Sequence, residues 1–535
     1  MSQQTSEQKP SFRLIFPVYH RSDNTSSLSV SAVLVIDFTL PLALNELIIC
    51  IGDITIHPRI KARNMTRKST HHRCRISFSV GLNDTKNLSI HNKVLVCSST
   101  GEGLQTLGQL TYNSLIPRYI AAHGPYLKNE KQDTVAFFRQ AVGGSLVFTV
   151  RHANVTDARR AQPRLFFAFV VAQLLPVKRP IILYEKNASK YEESGKAVYE
   201  NLIDRGYRHA YFVIAKEAAK SLDIEERYRR NFLFKHSFRH YVYFFRSRTF
   251  IGTEAVPHSL ELRCQNPFAQ RHMKNRKSTF VFLQHGVMLM VSLDSPERTS
   301  FIRKAMKGRV RVVVSSEKEA EHFIDLAGYS REELIVSGLP KFDFSYLNKN
   351  ADKILIMPTW RIWEFNAMRT DPDSTAYVAM IKRIEAAIPE KLRNKVVSEY
   401  HPLFARKTFG NSTDDKSQSL DVLLRDVKLL ITDYSSIAFD AFYRGANVIF
   451  YWEDLEDCMR HYGEPTHLML DRESAFGEVC MNEDELKQVI EDAYCNPQRE
   501  EHVARFRQLV SHNDSQNTER LVSLLKEEGI VQTDR

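Results

Sequence analysis

Apolar and polar positions along the chain change rhythm twice. From about Phe12 to Gln109, short β-rich runs alternate with polar turns at Phe12–Val18, Leu28–Phe38, Leu47–Ile51, Cys74–Val80 and Lys93–Cys97. That rhythm predicts a small β-sandwich occupying residues 1–115. From Leu110 to Pro180 the spacing reads as helical, which predicts a linker over residues 116–178. The buried run Ile181–Tyr184, with Glu185 at its end, then opens an alternation of strands and helices. A helix is predicted at Ser194–Arg205, with strands at Ala210–Ile214, Phe280–Leu283 and Val310–Val314. A second series follows Gly338, with strands predicted at Ile354–Met357, Val396–Tyr400, Leu429–Thr432 and Asn447–Tyr451. Helices are predicted at Ser374–Ala387, Ile437–Arg444 and from Glu483 onward. Two successive α/β domains with parallel sheets, 179–337 and 338–535, are the expectation, with a ligand cleft at the carboxyl ends of their strands.

A chain of 535 residues is too long for one core and fits about three domains. The net charge of +11 points to anionic partners, be they nucleic acid, acidic lipid or a phosphate-rich substrate, and charge alone does not choose. Seven scattered cysteines without CxxC spacing indicate neither a disulfide framework nor a zinc site, and fit a reducing cytoplasm. The first residues lack the basic and apolar regions of a secretory signal, so a cytoplasmic protein is expected. Leu165–Leu175 is too short to span a bilayer. Its flanking residues Arg159, Arg160, Arg164, Lys178 and Arg179 suit either a buried linking helix or one lying on a membrane surface. The basic, aromatic stretch Arg227–Arg248 has the composition of a nucleic-acid surface, of a solvated domain face, or of a patch for anionic lipid or polymer. His71 and His72 sit in a basic loop and read as solvated surface.

Candidate chemistry gathers at the predicted strand ends, where open α/β sheets bind ligands. Gln284-His285-Gly286 follows one strand, Pro358-Thr359-Trp360-Arg361 a second, Glu399-Tyr400-His401-Pro402 a third. Asp433-Tyr434-Ser435-Ser436 joins a fourth strand to a helix, a junction that serves either as an ordinary cap or as a phosphate seat. Histidine can take a proton near neutral pH, and Arg361, Ser435 and Ser436 would neutralise a transferring phosphoryl group. GxGxxG and GxxxxGK[ST] do not occur, which disfavours dinucleotide and P-loop chemistry. Asp371-Pro372-Asp373 has DxD spacing but reads as a polar loop, so no metal site is expected.

Together with Ser337-Gly338-Leu339-Pro340-Lys341-Phe342-Asp343 and the run on to Asp440, these motifs resemble the CDP-glycerol glycerophosphotransferase family of teichoic acid and capsule synthesis, over about Ile181 to Tyr451. The resemblance implies a GT-B-like pair of Rossmann-type domains behind an N-terminal β-rich accessory domain, residues 179–337 on the acceptor side and 338–535 binding the donor. It implies transfer of glycerol phosphate or ribitol phosphate from CDP-glycerol or CDP-ribitol to a hydroxyl of a lipid- or glycan-linked acceptor, without metal or cofactor. By that likeness His285 is the base on the acceptor hydroxyl and His401 acts at the donor pyrophosphate. Lys341, Pro358, Thr359, Arg361, Tyr400, Ser435, Ser436 and Asp440 would surround the CDP, with Gln284 and Gly286 on the acceptor side. Peripheral attachment to the inner face of an anionic membrane is typical of the family, and nucleic acid is not an expected partner. Gln284 stands where the family commonly has Trp, Val287-Met288-Leu289-Met290 replaces its Thr-Pro-basic continuation, and Lys341 stands where Arg is usual. A GT-B glycosyltransferase using a nucleotide sugar and a silent polymer-binding scaffold are the alternatives.

Overall fold

The computed structural model describes residues 11–22, 26–36, 46–62, 72–85, 88, 90–100, 103–112, 126–129, 133–140, 144–158, 160–175, 179–264, 266–273, 275–296, 301–306, 308–364, 367–368, 371–399 and 419–532. Two compact units emerge, Met1–Val170 with Arg263–Met273, and Val171–Leu262 with Lys274–Arg535.

The first unit is built on an 11-stranded sheet among the described residues. Its path runs Arg59–Ala62, His72–Gly81, Ser27–Ile36, Phe12–Ser22, Gly103–Tyr112, His91–Thr100, Leu146–His152, Thr134–Gln140, Leu127–Asn129, and a hairpin of Leu47–Ile51 and Ile54–Ile56 branches from His91–Thr100. Alternation along Ser27–Ile36 turns Leu28, Val30, Ala32 and Leu34 inward. Phe78 and Phe138 come from strands far apart in that path, yet their ring centroids lie 5.9 Å apart. The sheet therefore curls over one core, and the expected sandwich of separate sheets is replaced by a single hydrogen-bonded path.

Three strands, Leu127–Asn129, Thr134–Gln140 and Leu146–His152, occupy what the sequence predicts as a helical linker. Val135, Ala136, Phe137 and Phe138 are all buried, so the period-two signal of a half-exposed strand is missing there. The helix of that region is confined to Ala161–Leu174. It buries Leu165, Ala168 and Ala172 and leaves Phe167 60% and Leu174 76% exposed. No helix of the described residues is long and apolar enough to cross a membrane. His72 begins a strand rather than sitting in a loop, and His71 lies outside the described residues. Arg263–Met273 leaves the expected 179–337 domain to join the first unit, where Phe268 packs its ring on Phe166 and Phe169.

Among the described residues the second unit holds two parallel sheets. Seven strands run in the order Phe232–Phe234, Ala210–Ile214, Ile181–Tyr184, Thr249–Gly252, Thr279–Phe282, Arg309–Val314, Leu334–Val336. Five more run Val396–Ser398, Lys353–Ile356, Val427–Thr432, Asn447–Tyr451, Glu478–Cys480. Helices cover both faces, so the central strands are buried throughout and read as unbroken apolar runs. Chain order breaks at Ile181–Tyr184 in the first sheet and at Lys353–Ile356 in the second, the switch points where such sheets open a crevice.

The C-terminal helix Asn517–Glu527 is not confined to the second sheet's domain, as the boundary 338–535 would have it. It packs against the helix Glu193–Asp204 of the first sheet's domain, with Leu521, Val522 and Leu525 buried. Asp343 accepts hydrogen bonds from the backbone N–H of Asn517 at 2.9 Å and of Thr518 at 2.7 Å, satisfying two amides at the helix start. The Arg227–Arg248 stretch is woven into the first sheet's domain, where Arg229 donates to the carbonyls of Ala219 and Leu222 and Arg239 lies over the rings of Tyr211 and Tyr243.

Candidate active site

Two turns at strand ends meet in the second unit. One follows Thr279–Phe282 and carries Gln284-His285-Gly286, and the other carries Asp433-Tyr434-Ser435-Ser436 from Val427–Thr432 into the helix Ile437–Arg444. A Cβ at Gly286 would stand 2.8 Å from Ser436 Oγ and 3.3 Å from its Cβ, so the glycine eases the close approach of these turns. Lys341 bridges them from beneath. Its Nζ donates to the His285 carbonyl at 2.7 Å and pairs with Asp440 Oδ1, in the first turn of the helix, at 2.6 Å. Both partners of that pair are largely buried.

His285 is exposed at the apex of its turn, with Thr253, Glu193, Glu254 and Lys341 grouped around it. That crowding, and then the Lys341 cation, lower its pKa from the usual histidine value, while the Thr253 carbonyl and the Glu193 and Glu254 charges act the other way. Nδ1 lies 3.4 Å from the Thr253 carbonyl, an arrangement that directs Nε2 away from the backbone.

Beside His285 the first parallel sheet ends in an acidic cluster that the sequence reading touched only through Glu185. Glu185 is fully buried, accepting from Gly195 N at 2.7 Å and from the Thr253 hydroxyl. A Cβ at Gly195 would collide with Glu185 Oε2 at 2.2 Å, so the glycine makes room for this carboxyl. Burial, reinforced by the charge of Glu193, raises the Glu185 pKa well above the carboxylate range. Glu193 moves the opposite way: burial would raise it, but Lys341 and Lys186 outweigh that and hold it low. Its backbone has φ +54°, and one carboxylate oxygen is buried without a hydrogen-bond partner among the described residues. A non-glycine residue in that conformation costs about 1–3 kcal/mol and is a mark of functional turns. Position after a strand end was the signal available in the sequence.

Several expected site residues are placed differently. Gln284 has φ +56° and is fully buried, donating Nε2 to the Val313 carbonyl at 2.6 Å and to Glu319 Oε1 at 3.3 Å. Its side chain turns into the protein and does not line the acceptor side. Glu319 anchors the same turn by accepting from Met288 N at 2.7 Å and from Ser315 N at 2.6 Å. Arg361 is only 2% exposed, and its guanidinium is taken by Asp433 Oδ2 at 2.7 Å and, in a fork, by Asp454 at 2.7 to 3.0 Å. It braces the Asp433 turn and is not offered to a phosphate, because two carboxylates already satisfy the fork. Asp454 was missed because only the fold brings it beside Arg361.

Thr359 donates its backbone N–H to Asp433 Oδ1 at 2.7 Å, while its hydroxyl is buried with no partner among the described residues. Pro358 is buried and its carbonyl accepts from Tyr377 at 3.3 Å. Ser435 Oγ accepts from Ile437 N at 3.4 Å, and Ser436 occupies the N-cap without a capping side-chain bond. Tyr400 and His401 lie outside the described residues. The geometry thus offers a helix start with two hydroxyls, a cation beneath it and an imidazole opposite, a set able to hold a phosphate and take a proton from a hydroxyl.

Residues 166–527 match the family described as CDP-Glycerol:Poly(glycerophosphate) glycerophosphotransferase. Among curated proteins the chain is 23% identical over 382 residues to the minor teichoic acid biosynthesis protein GgaB of Bacillus subtilis (strain 168), covering 65% of this chain and 40% of that protein. It is 22% identical over 332 residues to the teichoic acid poly(glycerol phosphate) polymerase of Bacillus spizizenii, covering 54% of this chain and 77% of that one. Among solved structures, a variant of the wall teichoic acid polymerase TagF superposes with a TM-score of 0.50 at 15% identity, covering 70% of this chain and 96% of that chain. That likeness concerns the fold, a GT-B-like pair of parallel sheets.

Proposed function

Since the chain belongs to the CDP-glycerol:poly(glycerophosphate) glycerophosphotransferase family, we propose that it transfers glycerol phosphate or ribitol phosphate from a CDP-alditol to a hydroxyl of a membrane- or glycan-linked acceptor, in the synthesis of teichoic acid or a capsule-like polymer. The observation that carries this reading is the contact of the His285 turn with the Ser436 helix start, tied by Lys341.

In this reading His285 removes the proton of the acceptor hydroxyl. A base must be neutral to do so, and the lowered imidazole pKa keeps it neutral at physiological pH. The acceptor oxygen attacks the phosphorus that bears the alditol, a new P–O bond forms, the pyrophosphate bridge breaks, and CMP leaves with the bond electrons. The amides at the start of Ile437–Arg444, with the Ser435 and Ser436 hydroxyls, receive the donor's phosphate oxygens. Thr359 offers its unspent hydroxyl, and His401 and Tyr400 complete the donor side. Lys341 and Asp440 hold the acceptor and donor turns at fixed separation, and Lys341 adds positive potential. Arg361 acts through Asp433 by fixing the serine turn. The exposed Phe166, Phe167 and Leu174 of the Ala161–Leu174 helix, beside Arg160 and Arg164, rest on the inner face of an anionic membrane.

Measuring CMP release from CDP-glycerol, CDP-ribitol and a panel of nucleotide sugars on a membrane acceptor tests the assignment. Turnover with a CDP-alditol is expected, and mass analysis of the product identifies which one. Turnover with a sugar nucleotide alone would refute it.

A further inference from the structure

Three neighbouring strands of the seven-stranded sheet end level with one another. Tyr184 pairs with Gly252 and Gly252 with Phe282, so Glu185, Thr253 and Leu283 follow side by side. The Leu283 N–H donates to the Gly252 carbonyl at 2.9 Å, and two residues further on His285 sets Nδ1 3.4 Å from the Thr253 carbonyl. The segment 252–254 that carries this carbonyl is clamped from the strand Ile181–Tyr184. A Cβ at Gly252 would lie 2.6 Å from Tyr184 Cζ, so the tyrosine ring lies across the glycine, and its hydroxyl donates to the Glu254 carbonyl at 2.6 Å. Between those two points the Thr253 hydroxyl donates to Glu185 Oε1, while Glu185 Oε2 accepts from Gly195 N at 2.7 Å. Tyr184, Glu185 and Thr253 are fully buried. Burying a carboxyl is costly, and both oxygens of this one are spent on Thr253 and Gly195. The backbone of His285 is fixed separately, by Lys341 Nζ on its carbonyl at 2.7 Å and by the buried Gln284 side chain. That leaves the ring's rotation and its tautomer to be set. A carbonyl only accepts, so its place beside Nδ1 selects the tautomer with the proton on Nδ1, the one a base acting through Nε2 requires.

We propose that Glu185 and Thr253 are positioning residues for the base: Glu185 holds the Thr253 hydroxyl, Thr253 presents its carbonyl to His285 Nδ1, and Nε2 is left to take the proton of the acceptor hydroxyl. The assignment rests on the function proposed above. In this arrangement neither residue touches substrate, and both act through the imidazole. Glu185 needs no charge for the task. Burial raises its pKa well above the carboxylate range, and an amide in its place can accept from Gly195 N and donate to the Thr253 oxygen. Ring alignment governs the chemical step, whereas donor binding belongs to the serine turn and its helix.

The test uses the full chain, with CDP-glycerol or CDP-ribitol and a membrane acceptor. Thr253→Val removes the hydroxyl at nearly constant volume and should lower kcat about 10- to 100-fold, the loss expected when a reacting group is misplaced by about 1 Å, while CDP affinity by calorimetry holds. Thr253→Ser keeps the hydroxyl and should recover most of that loss. Glu185→Ala should fall as Thr253→Val does, and Glu185→Gln should stand well above it. Thermal melting of every variant separates lost alignment from lost folding, since a merely structural role would lower stability without dividing kcat from CDP affinity. Magnetic resonance of isotope-labelled histidine nitrogens, with His285→Ala identifying the His285 signals, reads the tautomer near neutral pH, where the lowered pKa leaves the ring uncharged. Wild type should carry the proton on Nδ1, and Thr253→Val should show a mixture of tautomers. Wild-type turnover in Thr253→Val and Glu185→Ala, equal losses in Thr253→Val and Thr253→Ser, or a wild-type proton on Nε2 would overturn the proposal. The spectrum needs no turnover, so a wild type that releases no CMP from either CDP-alditol refutes the transferase reading, and the positioning pair is still decided by the tautomers of wild type and Thr253→Val.

Discussion

Replacing His285 by alanine should lower turnover by about 10²- to 10⁴-fold, the contribution of a positioned base, while CDP affinity measured by calorimetry stays near wild type. The pH profile carries a sign. Crowding and Lys341 lower the His285 pKa, so the base remains neutral to a lower pH than a free histidine. The acid limb of kcat/KM should therefore fall below the usual histidine value near 6.5, with activity lost as pH drops through it. A midpoint at or above that value would show that another group takes the proton. Asp440→Ala removes the counter-charge of the buried Lys341 and should cost about 3–5 kcal/mol in denaturant unfolding. The sequence singles out His285 as a candidate by its place at a strand end, where such sheets face ligands. It could not show the carboxylates around Arg361, since a guanidinium looks the same whether it meets a phosphate or, as here, Asp433 and an Asp454 lying 93 residues away. Gln284 misled for a similar reason: polarity suggested the cleft, and its bond to the Val313 carbonyl took it inside.

Between elements, the tightest constraint is the approach of the His285 turn to the Ile437–Arg444 helix. Gly286→Ala forces a Cβ into the space of Ser436 Oγ and should depress kcat about tenfold or more, a loss expected when reacting groups move by about 1 Å. Adding Ser436→Gly removes the colliding oxygen, so turnover of the double variant should exceed that of Gly286→Ala alone. Steady-state kinetics on the two variants decides it, and equal rates would mean that the contact does not set the geometry. The central parallel strands such as Ile181–Tyr184 and Asn447–Tyr451 were legible because burial on both faces writes them as unbroken apolar runs, whereas the short strands Phe232–Phe234, Thr249–Gly252, Leu334–Val336 and Glu478–Cys480 went unread. The same property hid Thr134–Gln140 and Leu146–His152, since a continuous apolar run following a helical-looking stretch does not declare its period.

At the scale of the molecule, two crossings of the chain among the described residues join the parallel-sheet domains. The chain passes from first to second at Leu334–Lys353, and returns by Ser511, whose N–H donates to the Ser315 carbonyl at 3.0 Å, into the helix Asn517–Glu527. The sequence placed this helix in the second domain, because Leu521, Val522 and Leu525 mark an apolar face without saying which surface covers it. Deleting residues 511–535 should reduce kcat more than CDP affinity, measured by turnover and calorimetry side by side. Mechanically, a body joined at one point can swing and twist, whereas one joined at two points keeps a single easy axis, that of a door on a pin. The returning helix therefore selects which motion is soft. On the function proposed above, such an axis would let the donor in and CMP out, while the second crossing would resist the sideways slip that misaligns the attacking oxygen from the phosphorus.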